Sequence, residues 1–336
     1  MSIKAAYLKK HRGYRRENRK TRTAFSLEKR SPVRENKDIM TRKQPETVLN
    51  IIREENARKV KTVEEARQNL KTFYKRFRSG PDIAAETFHV GHIPTFRICM
   101  PGVSEGYTIL FFHGGGFMVG STEDHFDLCA KLSRSADCCV FSIDYRLAPE
   151  HIFPAALDDC TASYLKLLET GLNPALIVPV GVSAGGNLLL SMFLKLRAMD
   201  IPLPKIAVCI SPAVDLTSRE GVFEKNADKD WLLKDGIELT RKVYLRDYDP
   251  KDPLVSPTYG DLQGFPSLFV QAGRHEILFD DISAFVGKAR KAGIDVTFDI
   301  WEGMFHCWQI FSSVLPEGQQ AIENIGAYIK KTLQAG

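Results

Sequence analysis

The stretch that most restricts the fold of this chain is Gly181-Val182-Ser183-Ala184-Gly185. Before it runs Ala175-Leu176-Ile177-Val178-Pro179-Val180, short and apolar, which reads as a buried strand. After it, Asn187 to Leu196 reads as a helix. A strand that turns directly into a helix brings the two backbones too close for side chains two positions either side of the turn. The turning residue is also forced into a strained conformation, with its side chain held clear of the sheet. Gly-x-Ser-x-Gly meets both demands and sets the Ser183 hydroxyl at the start of the helix, a nucleophile elbow.

A strand–elbow–helix unit belongs in a sheet covered on both sides, and the flanking pattern supplies one. Strands are expected at Thr95 to Met100, Tyr107 to Phe112, Cys138 to Ile143, Ile206 to Ile210, Pro266 to Ala272 and Asp295 to Trp301. Helices are expected at Asp124 to Ala136, Pro154 to Leu168, Asp281 to Ala292 and Pro316 to Leu333. Such alternation predicts a mostly parallel sheet with helices on both faces. Residues 212–262 interrupt it without a clear strand and read as an insertion of short helices above the C-terminal edge of the sheet.

Two amphipathic helices precede the first strand. Pro45 to Ile52 is one; Thr62 opens the other, with Glu65 three residues later in capping-box spacing. The second carries Leu70, Phe73, Tyr74 and Phe77 as an apolar stripe, expected to pack on the body of the domain or over a pocket. The expected division is a leader over 1–39, cap helices over 40–82, and an α/β domain over 83–336 that contains the 212–262 cap insertion.

Charge separates the leader from the rest. The chain has 46 Lys+Arg and 41 Asp+Glu; residues 1–39 hold 13 and 4 of them, leaving 33 and 37. The basic surplus therefore lies wholly in the leader, which has few large apolar residues and is expected to be disordered. It suits an anionic-surface or RNA-binding tail, an organelle-targeting peptide, or sequence outside the functional product. Met40 is the expected start of the functional chain, with no nucleic-acid partner. No apolar run reaches the roughly 18 residues of a membrane span, so no stable membrane insertion is expected. The seven cysteines lack regular spacing, and Cys138, Cys139 and Cys209 sit inside apolar runs. The expectation is free buried thiols in the cytoplasm, without a disulfide framework. No Cys/His group has zinc-ligand spacing, so neither metal nor cofactor is expected.

The strand at Tyr107 to Phe112 ends in His113-Gly114-Gly115-Gly116. Consecutive glycines free the backbone to turn N–H groups into a cavity, where they stabilise a developing oxyanion by about 3–4 kcal/mol each.

These motifs, with Asp144-Tyr145-Arg146-Leu147-Ala148-Pro149-Glu150 and Asp252-Pro253-Leu254-Val255-Ser256-Pro257, resemble the hormone-sensitive-lipase-like branch of the α/β-hydrolase fold, the bacterial family IV esterases. The resemblance runs from about residue 45 to the end. The stretch Glu276 to Asp281 is most similar to members that open monoterpene lactones or cleave small acetyl esters. Val182 departs from the family's usual Asp or Thr and is expected to alter local packing only. The resemblance implies an α/β-hydrolase fold with a helical cap, ester or lactone substrates, and a homodimer.

Ser183 needs a base, and the base needs a carboxylate to orient it. In this fold the order along the chain is Ser, acid, His. Of eight histidines only His275 and His306 follow Ser183. His306 follows a strand and a short loop, where the family's base stands; His275 reads as a neighbour. The acid falls to Glu276, Asp280 or Asp281, with Glu276 at the family spacing of about thirty residues before the base. Gly115, Gly116 and Ala184 are the expected oxyanion donors, with His113 and Gly114 shaping the glycine loop. His89, His92, His125 and His151 read as structural or surface residues, and Asp144, Arg146 and Glu150 as a charged turn bracing the sheet edge. The implied activity is that of a serine carboxylesterase or lactonase, and the alternative is a catalytically silent small-molecule receptor on the same fold.

Overall fold

The computed structural model describes residues 44–57, 60–78, 85–217 and 224–334. The expectations for the basic leader 1–39 and for Met40 lie outside the described residues.

Eight strands form one sheet: β1 (Ala85–Val90), β2 (Ile93–Ile98), β3 (Ser104–Phe112), β4 (Cys138–Ile143), β5 (Ile177–Val182), β6 (Ile206–Ile210), β7 (Ser267–Gly273) and β8 (Val296–Trp301). Their spatial order is β1-β2-β4-β3-β5-β6-β7-β8. β1 and β2 are antiparallel to their neighbours, and every pairing from β4 to β8 is parallel. β1 was not legible in the sequence. Its four middle residues are exposed and none of the six is buried, so no buried alternation marks a strand. β2 also starts two residues earlier than expected, after a turn at Gly91 with φ 63°.

Side-chain alternation along the central strands builds the two faces. Leu110 and Phe112 of β3 enter one core, and Ile109 and Phe111 enter the other. The first core is closed by α4 (Ala155–Glu169), α5 (Ala184–Ala198) and α7 (Phe279–Lys291). The second is closed by α3 (Phe126–Ala136) and α8 (Pro316–Gln334). β5 is buried at every position, which matches its unbroken apolar sequence.

The helices α1 (Pro45–Asn56) and α2 (Val63–Lys75) lie ahead of the sheet in sequence and join the second core through Val48, Leu49, Ile52 and Phe73, with Phe77 just beyond α2. Phe77 meets Phe311 edge-on at 5.0 Å between ring centroids, an arrangement worth about 0.5–1.5 kcal/mol beyond its buried area. Thr62 caps α2 by accepting from the Glu65 N–H at 3.1 Å. The reciprocal bond reaches one residue further back than a capping box requires, to the N–H of Lys61 at 2.9 Å. Among the described residues of the insertion there is one full helix, α6 (Lys234–Leu245), and no strand.

One expectation is overturned. Cys99 and Cys139 are joined in a disulfide, with their Cα atoms 4.5 Å apart. The cause is register: β2 runs antiparallel to β4 with Ile98 opposite Val140. The next residue on each strand is therefore Cys99 facing Cys139, a cross-strand pairing that spacing alone did not reveal. The other described cysteines, Cys129, Cys138, Cys160, Cys209 and Cys307, are free and buried. Among the described residues no helix is long and apolar enough to cross a membrane.

Candidate active site

Ser183 stands between β5 and α5 with φ 53° and ψ −113°, a positive φ that only the surrounding close packing sustains in a non-glycine residue. A Cβ at Gly185 would lie 2.0 Å from the Phe112 carbonyl oxygen, and one at Gly181 would lie 2.3 Å from that of Gly185. Strand, elbow and helix thus touch backbone to backbone, which leaves room for the Ser side chain alone. Val182 is fully buried beneath the elbow.

His306 Nε2 is 2.9 Å from Ser183 Oγ. Its other nitrogen, Nδ1, is 3.1 Å from Glu276 Oε2. Burial opposes a charge on His306, but the adjacent Cys307 and Glu276 outweigh it and lift the imidazole well above its ordinary value. The second Glu276 oxygen accepts from the Gly273 N–H at 2.5 Å and from the Ser211 hydroxyl at 2.8 Å. Glu276 follows β7 and His306 follows β8, so neighbouring parallel strands deliver both side chains to one edge of the sheet.

Asp280 and Asp281 are elsewhere. Asp280 is exposed in the first turn of α7 and pairs with Lys225 at 3.2 Å. Asp281 is buried in that same turn. His275 donates its backbone N–H to the Met304 carbonyl at 3.0 Å, tying the loop after β7 to the loop after β8.

The glycine loop crosses in front of Ser183. Gly115 has φ 119°, and a Cβ there would fall 2.1 Å from the Val119 carbonyl oxygen, a conformation open only to glycine. Gly114, Gly115, Gly116, Ser183 and Ala184 line one cavity. His113 is fully buried, stacks on Tyr145 at 4.0 Å and donates from Nδ1 to the Gly114 carbonyl at 2.8 Å. Tyr145 in turn donates its hydroxyl to the His113 carbonyl at 2.7 Å. Burial holds His113 down to about 4 and His125 to about 3, so both are neutral near pH 7. Neutral His125 accepts from the Gly114 N–H at 3.3 Å through Nε2, which places it in the support of the loop. The charged turn behaves as a brace: Arg146 grips Asp159 at 2.8 Å, Glu150 grips Arg67 of α2 at 2.8 Å, and Asp144 accepts from the Thr122 N–H at 2.6 Å.

The cavity has a volume of about 400 Å3. Leu70, Phe73 and Tyr74 of α2 form one wall, and Trp231, Leu232 and Ile237 of the insertion form another. The stripe on α2 therefore serves both core and pocket. Among the described residues the lining carries the carboxylates Glu55 and Asp215 besides His125 and His306, and no Lys or Arg. No cluster of His, Cys, Asp and Glu suited to a metal occurs among the described residues.

Four residues of this site were not assigned to it from the sequence: Ser211, Asp230, His125 and Tyr145. Ser211 had a usable signal, since it directly follows β6 at the same sheet edge as Glu276 and His306. Asp230 had none, because an acid in a strandless insertion gives no indication of what it will meet.

The fold has known relatives. A family profile described as alpha/beta hydrolase fold matches residues 109–310. An acetyl-hydrolase of Streptomyces hygroscopicus is 41% identical over 249 residues, covering 74% of this chain and 83% of its own. The crystal structure of an esterase from the bacterial hormone-sensitive lipase family superposes with a TM-score of 0.83 at 38% identity, covering 87% of this chain and 99% of that one. The esterase EstE5, in crystals soaked with p-nitrophenyl butyrate, gives a TM-score of 0.81 at 34% identity, covering 86% and 98%.

Proposed function

The chain belongs to the bacterial hormone-sensitive-lipase family of α/β-hydrolase esterases, and from that premise we propose that it hydrolyses small, uncharged carboxylic esters through an acyl-enzyme on Ser183. The observation that carries the proposal is the unbroken relay from Ser183 Oγ through His306 to Glu276, at 2.9 and 3.1 Å, facing an apolar cavity.

His306 Nε2 takes the proton as Ser183 Oγ attacks the ester carbonyl. Glu276 holds the other ring proton on Nδ1 and stabilises the imidazolium. The backbone N–H groups of Gly115, Gly116 and Ala184 receive the oxyanion. His306 then protonates the departing alkoxide, leaving an acyl group on Ser183. Water, deprotonated by His306, attacks that acyl group; the acid leaves and Ser183 regains its proton. The apolar walls and the lack of a lining Lys or Arg among the described residues favour neutral acyl and alcohol groups over anionic ones. The short-acyl preference draws support from the cavity's modest volume and from the p-nitrophenyl butyrate soaked into EstE5. The silent-receptor alternative requires a missing base, and His306 is present and within reach.

The test is a panel of p-nitrophenyl esters from acetate to decanoate, with simple lactones alongside. Acetate and butyrate are expected to turn over fastest and lactones at least tenfold more slowly. If wild-type protein and Ser183→Ala release p-nitrophenol at the same rate, the function is not ester hydrolysis at this site.

A further inference from the structure

We propose that Asp230, a cap residue, is a positioning residue that sets the geometry of the Glu276–His306 pair by bridging the two loops that carry them. The inference rests on the acyl-enzyme reading above. Asp230 is 1% exposed. Its Oδ2 accepts from the Ile277 N–H at 2.9 Å, one residue past Glu276. Its Oδ1 accepts from the backbone N–H of His306 itself at 2.9 Å and from that of Trp231 at 2.8 Å. One carboxylate therefore ties the loop after β7 to the loop after β8, each through a different oxygen.

The rest of the segment tightens the same clamp. Asn226 donates to the carbonyls of Arg274 and Glu276 at 3.0 and 2.9 Å. The Trp231 indole donates to the His306 carbonyl at 2.7 Å. His306 is thus held by its backbone N–H and its carbonyl, both from residues of the insertion. The insertion is anchored from its far side by α1: Arg53 donates to the carbonyls of Asp228 and Asp230 at 2.5 and 3.1 Å. Burial pushes the Asp230 carboxyl up, whereas His306 and the three N–H donors pull it back. All three of those partners are donors, so the acceptor-only carboxylate satisfies them and a protonated or amide side chain does not.

The segment that grips the pair also walls the cavity, through Trp231, Leu232 and Leu233. Substrate seated against this wall bears on the same segment that fixes the base. A displacement of about 1 Å at a reacting group is enough to slow an enzyme about a hundredfold, so a clamp on both loops bears directly on rate.

The experiment compares wild type, Asp230→Asn and Lys225→Ala on p-nitrophenyl butyrate, with kcat referred to sites titrated by a p-nitrophenyl phosphonate. Lys225 lies in the same segment and pairs with exposed Asp280. Asp230→Asn keeps the shape and puts an amide N–H against one backbone donor. A fall in kcat per titrated site of tenfold or more, with KM within threefold of wild type and Lys225→Ala unchanged, supports the proposal. A smaller fall, or one matched by loss of titratable sites, overturns it. If Asp230→Asn yields no folded protein, Asn226→Ala takes its place: a threefold or greater fall with the same split supports the clamp, and less overturns it. Absence of wild-type turnover or of phosphonate labelling at Ser183 would instead sink the esterase reading.

Discussion

Glu276→Gln is the substitution whose effect the hydrogen bonds most closely determine. An amide replaces two acceptor oxygens with one acceptor and one donor. Glu276 Oε1 now receives the Gly273 N–H at 2.5 Å and the Ser211 hydroxyl at 2.8 Å. Gly273 can only donate, so the amide oxygen must stay on that side. The NH2 group then faces His306 Nδ1, which has to accept and therefore carries no proton. The ring proton moves to Nε2, 2.9 Å from Ser183 Oγ, where the imidazole can no longer take the serine's proton. In serine hydrolases an acid-to-amide change of this kind lowers kcat about 10,000-fold, which is about 5.5 kcal/mol of transition-state stabilisation. Glu276→Asp keeps the charge and shortens the reach, so its loss is expected to be milder. The assay is kcat on p-nitrophenyl butyrate per titrated site, with circular dichroism to check the fold. Retention of more than a tenth of wild-type kcat by folded Glu276→Gln would refute the tautomer argument and the assignment of the acid.

Ser183→Ala and His306→Ala are each expected to remove nearly all turnover, with the double variant barely worse because the residues act as a unit; strictly additive losses in kcat would contradict that. Asp280→Asn removes an exposed helix-end charge and its pair with Lys225, so turnover should persist with a stability change of about 1 kcal/mol or less; inactivity would move the acid one helical turn. His125, held down to about 3 by burial, is neutral when folded but protonates below its unfolded value near 6.5. Its contribution is fully present above pH 6.5 and is lost as pH falls from there towards 3, by about 2 kcal/mol at pH 5. His125→Gln should therefore lose less stability than wild type between pH 7 and pH 5 in urea titrations, and equal losses would show that His125 carries no such linkage.

The elbow was legible in the sequence because backbone geometry dictates it. A buried strand, a tight turn and a helix require glycine at 181 and 185, and a Cβ at either would overlap a carbonyl oxygen within 2.3 Å. The glycine loop was legible for a related reason, since Gly115 adopts a conformation closed to other residues. The central strands announced themselves through apolar runs, and the order of the chain restricted the base to two histidines. Of the three acid candidates, sequence order could prefer Glu276 but not exclude Asp280, because both lie within one loop and one helical turn.

Tertiary structure decided what depends on contacts between distant segments. Cys99 and Cys139 became partners through the register of β2 on β4, which is fixed by the whole sheet and not by either strand. β1 is a strand because β2 offers it an edge, while its own exposed residues carry no strand pattern. His125 came to support the glycine loop, and Asp230 came to bridge residues 277 and 306, only because chain closure brought them there. Motifs are short-range demands of the backbone and show in sequence. Clamps, braces and cross-strand pairs join residues 11 to 177 positions apart, and no local pattern encodes them.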